Sequence, residues 1–64
     1  MLGQRIRTQR LRIGLSQEEM ASHAGVHRTY YGAIERGERN LSLSSLLRIA
    51  HAQGIDPGLL IEGL

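Results

Sequence analysis

Residues 16–37, SQEEMASHAGVHRTYYGAIERG, predict two short helices joined by a tight turn. Ser16 and Glu19 have the spacing of a capping box, in which the serine accepts a backbone N–H and the glutamate reaches back to the cap. Met20 and Ala24 lie four residues apart, so they contribute to one apolar face of the first helix. We therefore expect this helix to cover residues 17–23.

Gly25 follows where the chain must leave the first helix through a left-handed residue, a conformation that glycine adopts without steric cost. A second helical pattern over residues 28–36 then places Tyr31 and Ile34 on the inward side. The residues expected on its outward side are Arg28, Thr29, Gly32 and Ala33. Two crossed helices joined by a short glycine turn are the arrangement that fits a helix into the DNA major groove.

The flanking sequence predicts further helices and no strands. A first helix over residues 2–13 ends at Gly14 and turns Leu2, Ile6 and Ile13 inward. Ser42 is the expected cap of a fourth helix, which ends at Gly54. Its inward face is expected to contain Leu43, Leu46, Leu47, Ile49 and Ala50.

A fifth helix is predicted to begin at the pair Asp56–Pro57, an N-cap acid followed by proline at the first helical position. Ile55 and Leu60 have the spacing of a hydrophobic staple across that start. Since one short helix cannot bury all of its apolar residues against a small core, we expect a homodimer contact here. The residues assigned to this contact are Leu59, Leu60, Ile61 and Leu64.

Four segments in order, LGQRIRTQR, GLSQEEMA, IERGERN and LLRIAHAQGID, resemble the lambda-repressor/Cro-like helix-turn-helix family of bacterial and phage regulators, also called the xenobiotic-response-element (XRE) family. The run HRTYYGAIERGERNLSL is similar to restriction–modification controller proteins. The resemblance implies an all-α, five-helix DNA-binding domain over residues 1–64. In it the helix-turn-helix occupies about residues 16–37, and helices four and five occupy about 43–64.

The composition agrees with one small domain. The 64 residues contain no cysteine, so neither disulfides nor thiolate metal sites can stabilise the fold. No stretch approaches the length of a membrane span and no signal-peptide pattern opens the chain, so we expect a soluble, cytoplasmic protein. The net charge is +2, and all eight basic residues are arginine. Arginine offers a planar fork for phosphates and guanine edges, although genome base composition is an equal explanation of this usage.

The first turn of the second motif helix contains the expected base-reading residues. Arg28 suits a bidentate contact with guanine, and Thr29 a hydrogen bond or a thymine methyl contact. The resemblance to controller proteins implies that Tyr30 leans on the sugar-phosphate backbone or a thymine methyl. Gly32 and Ala33 are assigned to the same surface one turn later. The alternatives left open are a solvated arginine at 28 and capping or packing roles at 29 and 30.

Phosphate contacts are expected from helix N-termini and from the loop after the second motif helix. Gln17 lies in the first turn of helix two, where backbone N–H groups and the side-chain amide can face one phosphate. The loop leads to a second such terminus, that of helix four, and it contains Arg39, Asn40 and Ser42. Arg36 and Arg5 are further candidates. The resemblance also implies that Arg10 and Glu35 form a structural ion pair between helices one and three.

An enzyme is not expected. His23 and His27 are four apart, but Gly25 interrupts the helix between them and no aspartate or cysteine completes a metal site, so surface or capping roles are favoured. Glu18 and Glu19 are adjacent and point in different directions, which suits the dipole of a helix start better than acid–base chemistry. No cofactor or small-molecule ligand is indicated.

We therefore expect a sequence-specific transcriptional regulator, a repressor or autoregulator, that binds a short palindrome in double-stranded DNA as a homodimer. An antitoxin-like module whose main partner is another protein is the alternative. The sequence does not distinguish a complete regulator from an excised domain.

Overall fold

The computed structural model describes residues 2–63, and five α-helices account for most of them. The helices are α1 (Leu2–Ile13), α2 (Gln17–Ala24), α3 (Arg28–Glu35), α4 (Leu43–Gln53) and α5 (Pro57–Ile61). Residues 2–63 contain no strand, which confirms the predicted all-α class. Within this range, no helix is both long and apolar enough to cross a membrane.

Side-chain caps begin four of these helices, three of them at the residues expected as caps, Ser16, Ser42 and Asp56. Ser16 Oγ accepts the Glu19 backbone N–H at 3.1 Å, and the Glu19 carboxylate accepts the Ser16 N–H at 2.9 Å, so the capping box is present. His27 Nδ1 accepts the Thr29 N–H at 3.1 Å at the start of α3. Asp56 caps α5 in the same way. Helix bounds were predictable here because each cap satisfies N–H groups that the helix itself leaves without partners.

The turn between α2 and α3 is built on Gly25. This residue adopts a left-handed conformation with φ 70° and ψ 30°, as predicted. Its N–H donates to Ser22 O at 3.2 Å, and the Val26 N–H donates to Ala21 O at 3.0 Å, so the last carbonyls of α2 are satisfied. Ala21 is buried, and its small side chain lets α2 pack closely among its neighbours.

The core lies where α2 packs against α4 and where α1, α3 and α5 close around them. Its largest fully buried side chains are Tyr31, Ile6, Met20, Ile49 and Leu60. These five come from five different helices, so each helix contributes one large anchor to a single cluster. Burial of this size is what a domain without disulfides must use for stability.

Three apolar residues expected in the core are exposed instead. Ile13 is 41%, Leu43 71% and Leu47 48% accessible to solvent. Ile13 is the last residue of α1 and follows Arg10, the last buried residue of that helix. Leu43 and Leu47, one turn apart, lie on the flank of the buried face of α4. The structure thus corrects the prediction for these three positions.

Gly3 provides a close helix approach that the sequence analysis missed. A Cβ at this position would lie 2.3 Å from Ile34 O and 2.7 Å from Glu35 O, so α1 and the end of α3 pack backbone to backbone. Both obstacles are main-chain carbonyls, which cannot move aside. A glycine inside an otherwise helical pattern was the available signal.

One residue of α5 that was assigned to the dimer surface is buried in the core. Leu60 is only 2% exposed and belongs to the core, since a residue at the fourth helical position packs back against the staple partner Ile55. Its assignment to the dimer contact was wrong. Leu59 and Ile61 are exposed by 57% and 45%, and Leu64 lies outside the described residues. The guanidinium of Arg5 donates to Leu60 O at 3.3 Å and also to Glu62 O.

Candidate nucleic-acid interface

The first turn of α3 projects from the domain. Arg28 and Thr29 are exposed and Tyr30 is half-buried, whereas every residue from Tyr31 to Glu35 is buried. The buried half fixes the helix in the core, and the exposed half presents its side chains to solvent. This division suits a helix that must enter a groove with its N-terminal end.

Arg28 is paired with an acid from α2. Its Nη1 lies 3.4 Å from Glu18 Oε2, and both side chains are largely exposed. An exposed pair of this kind contributes little to stability, so the guanidinium can leave Glu18 when a better partner is offered. The two residues face each other across an open groove between α2 and α3, which Thr29 and Gly32 also line.

Tyr30 forms the opposite side of the α3 first turn. Its hydroxyl donates to Ser45 Oγ at 3.3 Å, and the Arg39 guanidinium carbon lies 5.6 Å from the centre of its ring. The ring therefore links α3 to the start of α4, and the cation–π contact keeps Arg39 close to the surface that Tyr30 presents.

The other expected phosphate ligands gather after α3. Arg39, Asn40 and Ser42 are exposed and lie within the four residues that precede α4. Ser42 Oγ accepts the Ser45 N–H at 3.1 Å, so its hydroxyl already serves as the helix cap. Arg36 Nε lies 3.0 Å from Glu38 Oε1 in an exposed ion pair.

Two residues assigned to the outward face of α3 are buried. Gly32 lies beneath the side chains of Gln17 and Arg36. Ala33 is 8% exposed and forms part of the floor of a second groove, between Thr29, Tyr30 and the loop after α3. The expectation that they are exposed was wrong, and at Gly32 the reason is that two long neighbouring side chains fold over a position with no side chain of its own.

The expected ion pair between Arg10 and Glu35 is present and buried. Arg10 Nε lies 2.7 Å and its Nη2 3.1 Å from the two carboxylate oxygens, and its Nη1 donates to Leu15 O at 2.9 Å. The hydrogen bond to Glu35 raises the pKa of Arg10. Burial raises the pKa of the neighbouring Tyr31 hydroxyl, which makes no hydrogen bond among the described residues.

Gln17 is drawn into the same cluster. Its Nε2 donates to Glu35 Oε1 at 2.9 Å, so the side chain reaches from the first turn of α2 across to α3. Burial acts to raise the pKa of Glu35, but the hydrogen bonds from Arg10 and Gln17 help to outweigh it, and the pKa lies below its ordinary value. The carboxylate is therefore charged and fully engaged at neutral pH.

The histidines have no common site. His27 is the N-cap of α3, and His23 and His51 are exposed on different helices. Within residues 2–63, no three histidine or acidic side chains cluster in a way that would hold a metal ion. The capping role that the sequence favoured for a histidine is thus seen at His27.

The geometry of α2 and α3 agrees with comparison to known proteins. The helix-turn-helix family profile matches residues 6–60. The chain belongs to the helix-turn-helix family. Within it, α2 and α3 are the two helices of the motif, and α3 is the recognition helix.

Similar proteins of this family include restriction–modification controllers. Control protein C.BamHI of Bacillus amyloliquefaciens is 41% identical over 63 residues, which are 97% of this chain and 78% of that protein. The crystal structure of the controller protein C.AhdI from Aeromonas hydrophila is 47% identical, with a TM-score of 0.92 over 94% of this chain and 91% of that one. These matches confirm the resemblance inferred from the sequence.

A solved complex adds a relative with nucleic acid. SinR of Bacillus subtilis, in a crystal structure with DNA, is 33% identical and superimposes with a TM-score of 0.93, over 97% of this chain and 100% of that one. The same helix-turn-helix fold is thus present in a protein whose structure contains DNA.

Two contacts at the helix-turn-helix surface were not expected from the sequence. Glu18 was assigned only to the helix dipole, yet it is the partner of Arg28. The bond from Gln17 to Glu35 was not expected either, because the two residues are 18 positions apart. The position of both in the first turn of α2 was the available signal, since that turn faces α3 in this motif.

Proposed function

We propose that the protein is a sequence-specific DNA-binding transcriptional regulator that binds a short palindromic operator as a homodimer. The observation that carries this proposal is the exposed, arginine-led first turn of α3, held in place by a buried second half. A helix presented in this way inserts its N-terminal residues into the major groove.

Base contacts are proposed for the residues of that turn. Arg28 exchanges its weak bond with Glu18 for the two acceptors of a guanine, a bidentate contact worth about 1–3 kcal/mol of discrimination. Thr29 is exposed beside it, and Tyr30 offers the edge of a half-buried ring. Ala33 lies on the floor of the adjoining groove, where a thymine methyl group can contact it, whereas Gly32 is covered by the side chains of Gln17 and Arg36 and is not proposed to contact a base.

Phosphate contacts are proposed on both sides of the recognition helix. Gln17 and the N-terminus of α2 form one side. The residues proposed for the other side are Arg36, Arg39, Asn40 and Ser42. Helix N-termini carry partial positive charge and free N–H groups, which favour phosphate, and arginines add charge-assisted hydrogen bonds. Such contacts position the protein on DNA without reading its sequence.

The homodimer is proposed to form through α5. Leu59 and Ile61 expose apolar side chains on a helix of five residues, and Leu64 is added from the sequence pattern. One small module buries little surface on DNA, on the order of 600–1,000 Å², and two copies on inverted half-sites double it. We propose no catalysis and no small-molecule ligand for this surface, and a cytoplasmic location, where DNA is accessible.

Selection from random duplex DNA tests this function. The protein is incubated with a randomised library, and bound duplexes are amplified over several rounds and sequenced. The expected result is an enriched inverted repeat that the protein binds at least about a thousandfold more tightly than random DNA. Absence of any enriched sequence would contradict the proposal and favour the antitoxin-like alternative, which binds a partner protein instead.

A further inference from the structure

Gly32 occupies the middle of the recognition helix, where glycine is unfavourable. Apart from proline, no residue lowers helix stability more at an interior position. Its backbone is helical, and it is not among the glycines with positive φ, so the local conformation does not require glycine. The reason for a glycine at this position must therefore lie in what surrounds it.

The space above Gly32 is filled by the ends of two long side chains. A Cβ at this position would lie 3.1 Å from Gln17 Oε1 and 3.1 Å from Arg36 Nη1. The contrast with Gly3 is informative, because a Cβ there would meet main-chain oxygens at 2.3 and 2.7 Å. Position 3 is closed by backbone, whereas position 32 is covered only by side chains from the proposed DNA-facing surface.

The Gln17 amide is held from two directions. Its Nε2 donates one hydrogen to Glu35 Oε1 at 2.9 Å, and its Oε1 rests over the bare backbone of Gly32. Glu35 cannot follow a displaced amide, since Arg10 holds both of its oxygens within the core. Within residues 2–63, Gln17 Nε2 makes no second hydrogen bond, and Gln17 is the first residue of α2.

We propose that Gly32 is a positioning residue for Gln17. The missing side chain provides the space in which the amide lies across α3, bonded to Glu35, so that its remaining N–H is fixed toward a DNA phosphate. The inference rests on the DNA-binding function proposed above and adds to it a role for the Gly32–Gln17–Glu35 arrangement. Glycine is kept at an unfavourable helix position because of this side chain.

The Gly32→Ala variant tests the inference because its two effects have opposite signs. A methyl group removes the helix penalty of glycine, so the melting temperature should stay the same or rise. It also presses on Gln17 Oε1 and disturbs the bond to Glu35, so binding should weaken by about five- to tenfold per protomer, the loss of roughly one hydrogen bond in each. Operator and random duplex should weaken equally, since a phosphate carries no sequence information.

A double-mutant cycle separates an effect through Gln17 from direct obstruction of DNA. Gln17→Ala alone should weaken binding to a similar extent, and adding Gly32→Ala should then change nothing further. Gln17→Asn, which is too short to span from α2 to Glu35, should reproduce the same loss without altering position 32. If Gly32→Ala weakens binding as much in the Gln17→Ala variant as in the parent protein, the methyl group obstructs DNA directly and the inference is wrong.

Gly3→Ala is the matched control for a glycine needed by packing. Its melting temperature should fall sharply, because main-chain oxygens occupy the space of the methyl group. An equal fall in Gly32→Ala would assign position 32 to packing and overturn the inference, as would operator binding unchanged from the parent protein. Failure of the parent protein to select any operator would instead contradict the proposed function itself.

Discussion

Arg10 of α1 and Glu35 of α3 form a two-point ion pair inside the domain, with Nε 2.7 Å from Oε2 and Nη2 3.1 Å from Oε1. The pair joins the first helix of the chain to the recognition helix. Because both charges have left water, the attraction between them is largely offset by desolvation. Removal of one partner is nevertheless expensive, about 3–5 kcal/mol, since the other charge stays buried alone.

The Arg10–Glu35 ion pair predicts how the free energy of unfolding depends on pH. The pKa of Glu35 lies below its ordinary value of 4.5, so the folded protein binds this proton less readily than the unfolded chain does. The stabilisation is therefore fully present above pH 4.5 and is lost as the pH falls through the lower folded pKa. Urea unfolding at a series of pH values should show a steep acid limb in the parent protein.

Glu35→Gln should be less stable at neutral pH, and its free energy of unfolding should depend less on pH on the acid side. Subtracting the two curves removes the contribution of the remaining carboxylates. Parallel acid limbs in both proteins would mean that the pair does not couple folding to protonation at Glu35.

Arg28→Ala should reduce sequence discrimination. If Arg28 reads a guanine, the variant should lose about 1–3 kcal/mol per half-site on the selected operator and much less on random duplex. Titration of both duplexes by fluorescence anisotropy gives the ratio directly. Equal weakening on operator and random DNA would show that Arg28 does not read a base.

Arg39→Ala serves as the contrasting variant. Arg39 is proposed to contact a phosphate, so its loss should weaken binding to every sequence about equally. The slope of the logarithm of the binding constant against the logarithm of salt concentration should become shallower by about one for each protomer bound. An unchanged slope would assign Arg39 to the support of the Tyr30 ring alone.

Aspartate substitutions at neighbouring apolar residues of α5 should have two different outcomes. Leu60→Asp should unfold the domain, because a charge placed at a 2% exposed position costs more than about 3 kcal/mol. The double variant Leu59→Asp/Ile61→Asp should remain helical and sediment as a monomer. Sedimentation and circular dichroism distinguish the two cases, and a double variant that stays dimeric would place the dimer contact elsewhere.

The turn glycine Gly25 should tolerate asparagine better than valine. Its φ of 70° is a conformation in which a β-branched side chain is strained by about 1–2 kcal/mol. Asparagine adopts it more readily, so Gly25→Asn should melt closer to the parent protein than Gly25→Val. A Gly25→Val melting temperature equal to that of the parent protein would be incompatible with a left-handed turn.

The helix boundaries were predictable because they depend on local chemistry. Ser16 and Glu19 satisfy each other's backbone groups within four residues, and Gly25 satisfies a conformational need within one. Such signals are complete in a short stretch of sequence. Helix α2 ends one residue later than predicted, at Ala24, and α3 ends one residue earlier than predicted, at Glu35.

Which residues face the core was less predictable. Periodicity alone gave Leu43 and Leu47 to the core, but the buried face of α4 is narrower than its apolar face. Conversely, Gln53 is buried in that face and donates to Ile6 O at 3.0 Å. A polar residue can be buried when a hydrogen-bond partner is available in the core, and the partner here is 47 residues away in the sequence.

The sequence predicted which residues of the first turn of α3 are exposed, but it did not predict the contacts between side chains of different helices. Arg28 and Thr29 are exposed where the pattern placed them. Gly32 was assigned outward because helical spacing ignores neighbouring side chains, and Gln17 in fact extends over it from another helix. Contacts between helices depend on crossing angles that a single sequence does not specify.

The contact of Arg5 with the end of α5 has a consequence for operator length. A helix of five residues is not stable alone, so the orientation of α5 depends on its contacts with the rest of the domain. These contacts are the buried Leu60 side chain and the Arg5 guanidinium, which donates to the carbonyls of Leu60 and Glu62. In a dimer built on α5, that orientation determines the distance between the two recognition helices, and hence the number of base pairs between half-site centres. Under the proposed function, the spacing of the operator then depends on a side chain of α1, whereas its base sequence depends on α3.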